Sequence, residues 1–181
     1  MLNLAKRLNG DTEARFRAHY DAYHAALHRY VSRLSGDYTA AEDLTQEVFV
    51  HLWREMTTAG EPRLPRAWLY RVATNLVIDR GRTLRRTLAF ILPGSATTRE
   101  PAAPAVNAEE NVARRQLVQR TLRRLPEPMR QCLLLHHEGI TGKEIAEILG
   151  VKPSYVGTLV LRAHDRFKRE WEVVGGRDGV P

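Results

Sequence analysis

ITGKEIAEILGVKPSYVGTLVLRA, from Ile140 to Ala163, changes its rhythm halfway along. Thr141 and Glu144 have the spacing of a capping box, in which each side chain satisfies a backbone N–H at a helix start. A helix is therefore expected from about Gly142 to Leu149. Gly150 supplies the left-handed position that ends it, and Pro153 suits the first turn of the next helix. Ile145, Ala146 and Leu149 fall on one side of the first helix, and Val156, Leu159, Val160, Ala163 and Phe167 form a three-four stripe on the second. Two helices joined this tightly, with small Ala146 at their crossing, read as a helix-turn-helix. That motif lays its second helix in the major groove and reads base edges with the first residues of it. The outward face carries Ser154, Thr158, Leu161 and Arg162, with Tyr155 and Gly157 at its margins. Hydroxyls and guanidinium groups bond bases and phosphates, and a leucine suits a thymine methyl.

Working outward, helical punctuation dominates and nothing reads as a strand. Phe16, Tyr20, Tyr23, Leu27, Tyr30 and Leu34 predict a helix over 11–34, stopped by Ser35-Gly36. Thr39 and Glu42 predict a capped second helix to about Met56, and Pro65 opens a third that continues through Arg86. The texture then breaks. AFILPGSATTREPAAPAV, from Ala89 to Val106, is rich in proline and small residues, which is linker composition. Fully extended, such a stretch spans roughly 60 Å. Helical text resumes at Asn107, with Asn107 and Glu110 as a cap pair, and is cut at Leu125-Pro126-Glu127-Pro128. The expected fold is all-α. Two small helical domains, 1–88 and 107–174, are joined by a flexible linker over 89–106 and followed by a frayed tail over 175–181.

The bulk numbers fit a folded, soluble, cytoplasmic chain with an anionic partner. Net charge is +7 and the hydrophobic fraction 43% over 181 residues, a balance that favours polyanions. No apolar run approaches bilayer length, and MLNLAKRLNGDTEARF lacks the apolar stretch of a signal peptide. Cys132, the single cysteine, excludes an internal disulfide and reads as a small buried hydrophobe.

Charge separates sharply inside the first module. Between Asp37 and Glu55 five acidic residues (Asp37, Glu42, Asp43, Glu47, Glu55) stand against Arg54, with Leu44, Val48, Phe49, Leu52 and Trp53 on one side. Between Arg63 and Arg86 seven arginines stand against Asp79. Arg71, Asn75, Asp79, Arg82 and Arg86 recur there at helical spacing, opposite Leu69, Val72 and Leu76. An acidic helix beside a basic one suggests two surfaces for two partners, a basic protein and a polyanion.

DYTAAEDLTQEVFVHLWRE followed by PRAWLYRVATNLVIDRGRTLRR resembles the second conserved region of bacterial RNA polymerase sigma factors, most of all the small extracytoplasmic-function group. LPEPMRQCLLLHHEGITGKEIAEILGVKPSYVGTLVLRA is similar to that group's fourth region. The resemblance covers both modules in the right order. It implies that Asp43, Gln46, Glu47 and Phe49 dock on the beta-prime clamp helices of core RNA polymerase, with the beta flap as a further contact. It implies that the segment of Trp68, Leu69, Tyr70, Ala73, Asn75 and Asp79 faces the −10 promoter element. Within and beside it Arg66, Tyr70, Arg71, Asn75, Asp79 and Arg82 are the candidate DNA contacts, with Arg66, Arg71 and Arg82 for phosphates and Trp68 and Leu69 in the core. The preceding loop TTAGEPRLPR would help capture an unstacked base. For the −35 element the candidates are Lys143, Lys152, Ser154, Tyr155, Thr158 and Arg162. The family's threonine-valine-lysine-serine-arginine run is replaced here by Tyr155, Val156, Gly157, Thr158 and Leu159, so two basic positions are lost. An anti-sigma protein that clamps the two modules is the implied regulator.

Two other classes compete. A stand-alone helix-turn-helix repressor explains the charge and the second module, but not the acidic helix followed by AWLYRVATNLVID. An enzyme would need a motif the chain lacks: HAALH has no glutamate of a zinc-protease helix. His136-His137-Glu138 near Cys132 would not converge on a metal, because adjacent helical side chains diverge. The expected chain has no catalytic residues, metal or cofactor.

Overall fold

The computed structural model describes residues 2–91 and 109–178, and among these it is built of helices without a strand. In chain order they are α1 (Leu2–Ser35), α2 (Tyr38–Thr58), α3 (Pro65–Ile91), α4 (Glu109–Arg123), α5 (Glu127–His137), α6 (Gly142–Leu149) and α7 (Pro153–Asp178). None is long and apolar enough to cross a membrane. The first three pack on one another, α7 receives α4, α5 and α6, and α1–α5 and α3–α6 contacts join the two sets.

Each element follows from its own residues. Leu27, Tyr30, Val31 and Leu34 bury the inner stripe of α1. Ala40, Ala41, Leu44, Thr45, Val48, Phe49, Leu52 and Met56 do the same for α2, and Leu69, Tyr70, Ala73 and Thr74 for α3. The buried threonines donate to carbonyls one turn back, Thr45 to Ala41 at 2.6 Å, Thr74 to Tyr70 at 2.7 Å and Thr121 to Leu117 at 2.8 Å. No hydroxyl among them is therefore left dry, which would cost about 1–3 kcal/mol.

The helix-turn-helix forms as its spacing predicts. Thr141 caps α6, with the Glu144 N–H reaching its hydroxyl and the Glu144 carboxylate accepting the Thr141 N–H at 2.9 Å. Gly150 sits at φ 65°, a left-handed position that a side chain would strain. Ile145, Ala146, Val156, Leu159 and Ala163 are buried, while Leu149, Val160 and Phe167 are half-buried. Cys132 is fully buried on α5, and burial pushes its thiol up to about 11.

Boundaries differ from expectation in four places. Helix α1 begins at Leu2 rather than at Asp11. The cap of α2 is Asp37, whose carboxylate accepts the Ala40 N–H at 3.0 Å, so Thr39 lies inside the helix. Helix α3 runs on to Ile91, taking the first residues of the expected linker; the rest of that linker and Asn107 lie outside the described residues. Helix α7 continues through the expected tail to Asp178. Gly175 is buried there, as is Val174 just before it, and a Cβ on Gly175 would lie 3.9 Å from Leu117 of α4.

Replacing Thr141 with alanine removes one partner of the capping box and is expected to lower stability by about 1 kcal/mol. Urea unfolding followed by circular dichroism measures this, and Thr141→Ser should restore most of the loss.

Candidate functional site

Three exposed faces carry the residues singled out by the sequence. On α2, Asp43, Gln46 and Glu47 are all exposed, with His51 4.0 Å from the Glu47 carboxylate. Phe49 does not join them. It is only 3% exposed, and its ring packs against Tyr20 at 4.8 Å, His24 at 5.9 Å and Phe16 at 6.3 Å. Its register places it one turn after Thr45 on the inner stripe, so it supports the face from beneath. The apolar part of the face is Val50 and Trp53 instead, with Tyr20 of α1 beside it; these are 46%, 38% and 38% exposed. Trp53, expected with the buried side chains, stands edge-on to Phe16 at 5.3 Å. Val50 and Trp53 follow Gln46 by four and seven residues, a spacing that the helical period alone would have flagged. His28 behind this face is held below its usual pKa by burial and then by His24.

On α3, Arg71, Asn75, Asp79 and Arg82 are exposed along one stripe, and Arg82 pairs with Asp79 at 3.7 Å. The guanidinium groups at either end of that stripe can meet phosphates, while Asn75 and Asp79 between them offer an amide and an acceptor to bases. Leu69 is fully buried and Trp68 half-buried against the core, as their positions predict.

The N-terminal end of α3 is arranged differently. Arg66 directs its guanidinium to the backbone carbonyls of Glu138 and Gly139, in the turn between α5 and α6. Tyr70, expected to face DNA, is 1% exposed and donates its hydroxyl to the Glu138 carboxylate at 3.1 Å. Burial, followed by the Glu138 charge, holds that phenol protonated well above its ordinary range. Tyr30 lies edge-on to Tyr70 at 5.0 Å and shares a 2.7 Å hydrogen bond with Thr74. The sequence marks Glu138 only as a rejected metal candidate and Arg33 not at all, because no local pattern announces a pairing between residues so far apart in the chain.

The third face belongs to the helix-turn-helix. Lys143, Lys152, Ser154, Tyr155, Thr158 and Arg162 are all exposed on it, and Leu161 is 68% exposed. Gly157 lies among them with nothing within 4 Å of where a Cβ would project. Its bareness answers no packing need of the protein.

The family description Sigma-70 region 2 matches residues 19–87, and Sigma-70, region 4 matches residues 115–165. The chain is 34% identical over 154 residues to the ECF RNA polymerase sigma factor SigL of Mycobacterium tuberculosis, covering 83% of this chain and 84% of that protein. It is 29% identical over 153 residues to the RNA polymerase sigma factor SigZ of Bacillus subtilis, with 83% of each covered. In fold it is similar to the sigma factor RpoE of Bartonella quintana, solved with the anti-sigma factor NepR. The TM-score is 0.72 at 21% identity, over 88% of this chain and 98% of that one. It is also similar to CnrH, solved with the cytosolic domain of CnrY, at a TM-score of 0.64 and 22% identity over 94% and 96% of the two chains.

Gly157 sits in a helix interior with open space around it, so Gly157→Ala is expected to raise stability by up to about 1 kcal/mol. A rise in denaturant midpoint at unchanged slope checks this.

Proposed function

The chain belongs to the sigma-70 family of bacterial RNA polymerase sigma factors, in its ECF group, and on that premise we propose how its faces divide the work of initiation. As a sigma factor it binds core RNA polymerase, recognises promoter DNA and promotes its opening. Sigma factors are initiation factors rather than enzymes in themselves, and the phosphoryl chemistry belongs to the polymerase. Residues 1–88 serve as the polymerase-docking and −10 module, and residues 107–174 as the −35 module. The stand-alone repressor reading does not account for the acidic helix followed by AWLYRVATNLVID, and the region 2 match covers both.

The observation that carries this division is an exposed acidic stripe on α2 with an exposed arginine-bearing stripe on the helix packed beside it, α3. Asp43, Gln46 and Glu47 meet the beta-prime clamp helices, with Val50 and Trp53 as the apolar anchor such an interface needs at its centre. Arg71, Asn75, Asp79 and Arg82 follow the −10 strand. Unstacking a base there costs a few kcal/mol, which phosphate contacts and a pocket offset. The −35 element is met by Ser154, Tyr155, Thr158 and Arg162, with Lys143 and Lys152 on flanking phosphates. Because Gly157 lacks a side chain and Leu161 is apolar, this reader relies on close approach and methyl contact more than on charge. A further partner is an anti-sigma protein, supported by the relative solved in complex with one, and the beta flap is the second polymerase contact.

Asp43 and Glu47 are exposed, so their joint replacement by lysine is expected to leave the fold intact and weaken core polymerase binding at least about tenfold. Equilibrium titration of labelled core enzyme measures it, alongside promoter-dependent transcription by the reconstituted holoenzyme. A wild-type chain that does not assemble with core enzyme, or a double variant that binds as well as wild type, overturns the assignment.

A further inference from the structure

The turn joining α5 to α6 places an acidic side chain on the promoter-facing end of α3. The Glu138 side chain is 12% exposed. One carboxylate oxygen accepts the Tyr70 hydroxyl at 3.1 Å, and the other lies 3.9 Å from the guanidinium of Arg33 on α1. Arg66 binds the backbone of the same turn, donating to the carbonyls of Glu138 and Gly139. One guanidinium, that of Arg33, and the Tyr70 phenol face the carboxylate, while the Arg66 guanidinium holds the backbone beside it; with Glu138 withdrawn, all three groups are free to meet a monoanion with two terminal oxygens. A phosphodiester is such an anion, and it is the one a promoter strand would bring to this end of α3.

We infer that Arg33, Arg66 and Tyr70 form a binding site for a phosphodiester of the promoter strand, and that Glu138 fills this site in the free chain, so that closure of the two modules and strand contact there exclude one another. The inference rests on the assignment of α3 to the promoter; it adds Arg33 as a DNA-binding residue and Glu138 as an internal competitor.

The junction between the two sets of helices is bonded at a second place as well. Its second attachment is a pair of bonds from α4 to carbonyls at the end of α1: Gln119 to Ser32 at 2.9 Å and Arg123 to Gly36 at 2.8 Å. A side chain on Gly36 would come within 2.9 Å of the Arg123 guanidinium.

The test uses the full free chain. Spin labels at Val50→Cys and Leu161→Cys, both exposed, report the distance between modules while buried Cys132 stays unlabelled. Wild type should show one narrow distribution, and Glu138→Ala a broader and longer one at unchanged helix content. Affinity for a fluorescent single-stranded oligonucleotide of mixed sequence should rise about fivefold or more in Glu138→Ala. In Glu172→Ala, which makes the same charge change at an exposed position on α7, it should rise less than about twofold. Adding Arg33→Ala to Glu138→Ala should abolish the gain and make the salt slope of binding shallower by about one. Equal effects of the Glu138 and Glu172 substitutions, an unchanged distance distribution, or a gain that survives loss of Arg33 would overturn the inference. Assembly of wild type with core polymerase would still stand in that event, which separates this failure from failure of the sigma-factor reading.

Discussion

A tyrosine hydroxyl buried where several helices meet has to find a partner, and much of this molecule is arranged around that requirement. Tyr30 is fully buried on α1, and its hydroxyl reaches Thr74 of α3 at 2.7 Å. Thr74 in turn donates to the carbonyl of Tyr70, one turn earlier. This short chain fixes the rotation of α3 about its axis. It also sets the ring of Tyr70 edge-on to Tyr30, with its hydroxyl facing the α5–α6 turn. Rotating α3 away would strand a buried hydroxyl and turn the arginine stripe from its present direction. The register of the arginine-bearing helix is thus set from within the core.

Local grammar made most of the fold legible before any coordinates. The Thr141–Glu144 box, Gly150 and Pro153 are short-range signals with a single physical reading, and each holds its expected place. The charge contrast between α2 and α3 was equally plain, because helical spacing assigns faces. Legibility failed where the decisive partner was distant. Phe49 looked like part of the acidic face, yet aromatic side chains from α1 claim it for the interior. Tyr70 sits in a segment that reads as DNA-facing, while its hydroxyl is taken by Glu138, 68 residues away in the chain. Helix ends were misjudged for a related reason: propensity stops at glycine, whereas Val174 and Gly175 are carried into helix by packing against α4.

Opposite charges on neighbouring helices also shape how the chain meets its partners in time. Exposed charge contributes more to the rate and orientation of encounter than to final affinity, and salt screens it within about 10 Å. On the face proposed for polymerase docking, Val50, Trp53 and Tyr20 are the exposed apolar side chains, set beside the acidic groups that would orient an approaching surface. Attraction over distance and adhesion at contact thus fall to different residues of the same face.

The bald spot at Gly157 has a consequence for how such a protein diverges. Because no atom lies near the missing Cβ, many side chains can be installed there without repacking anything beneath. Leu161 one turn on is similarly unencumbered, being 68% exposed. The exposed face of α7 can therefore change by single-codon steps while the scaffold beneath stays constant, so duplicated copies of the gene can diverge at this surface without first passing through an unstable intermediate.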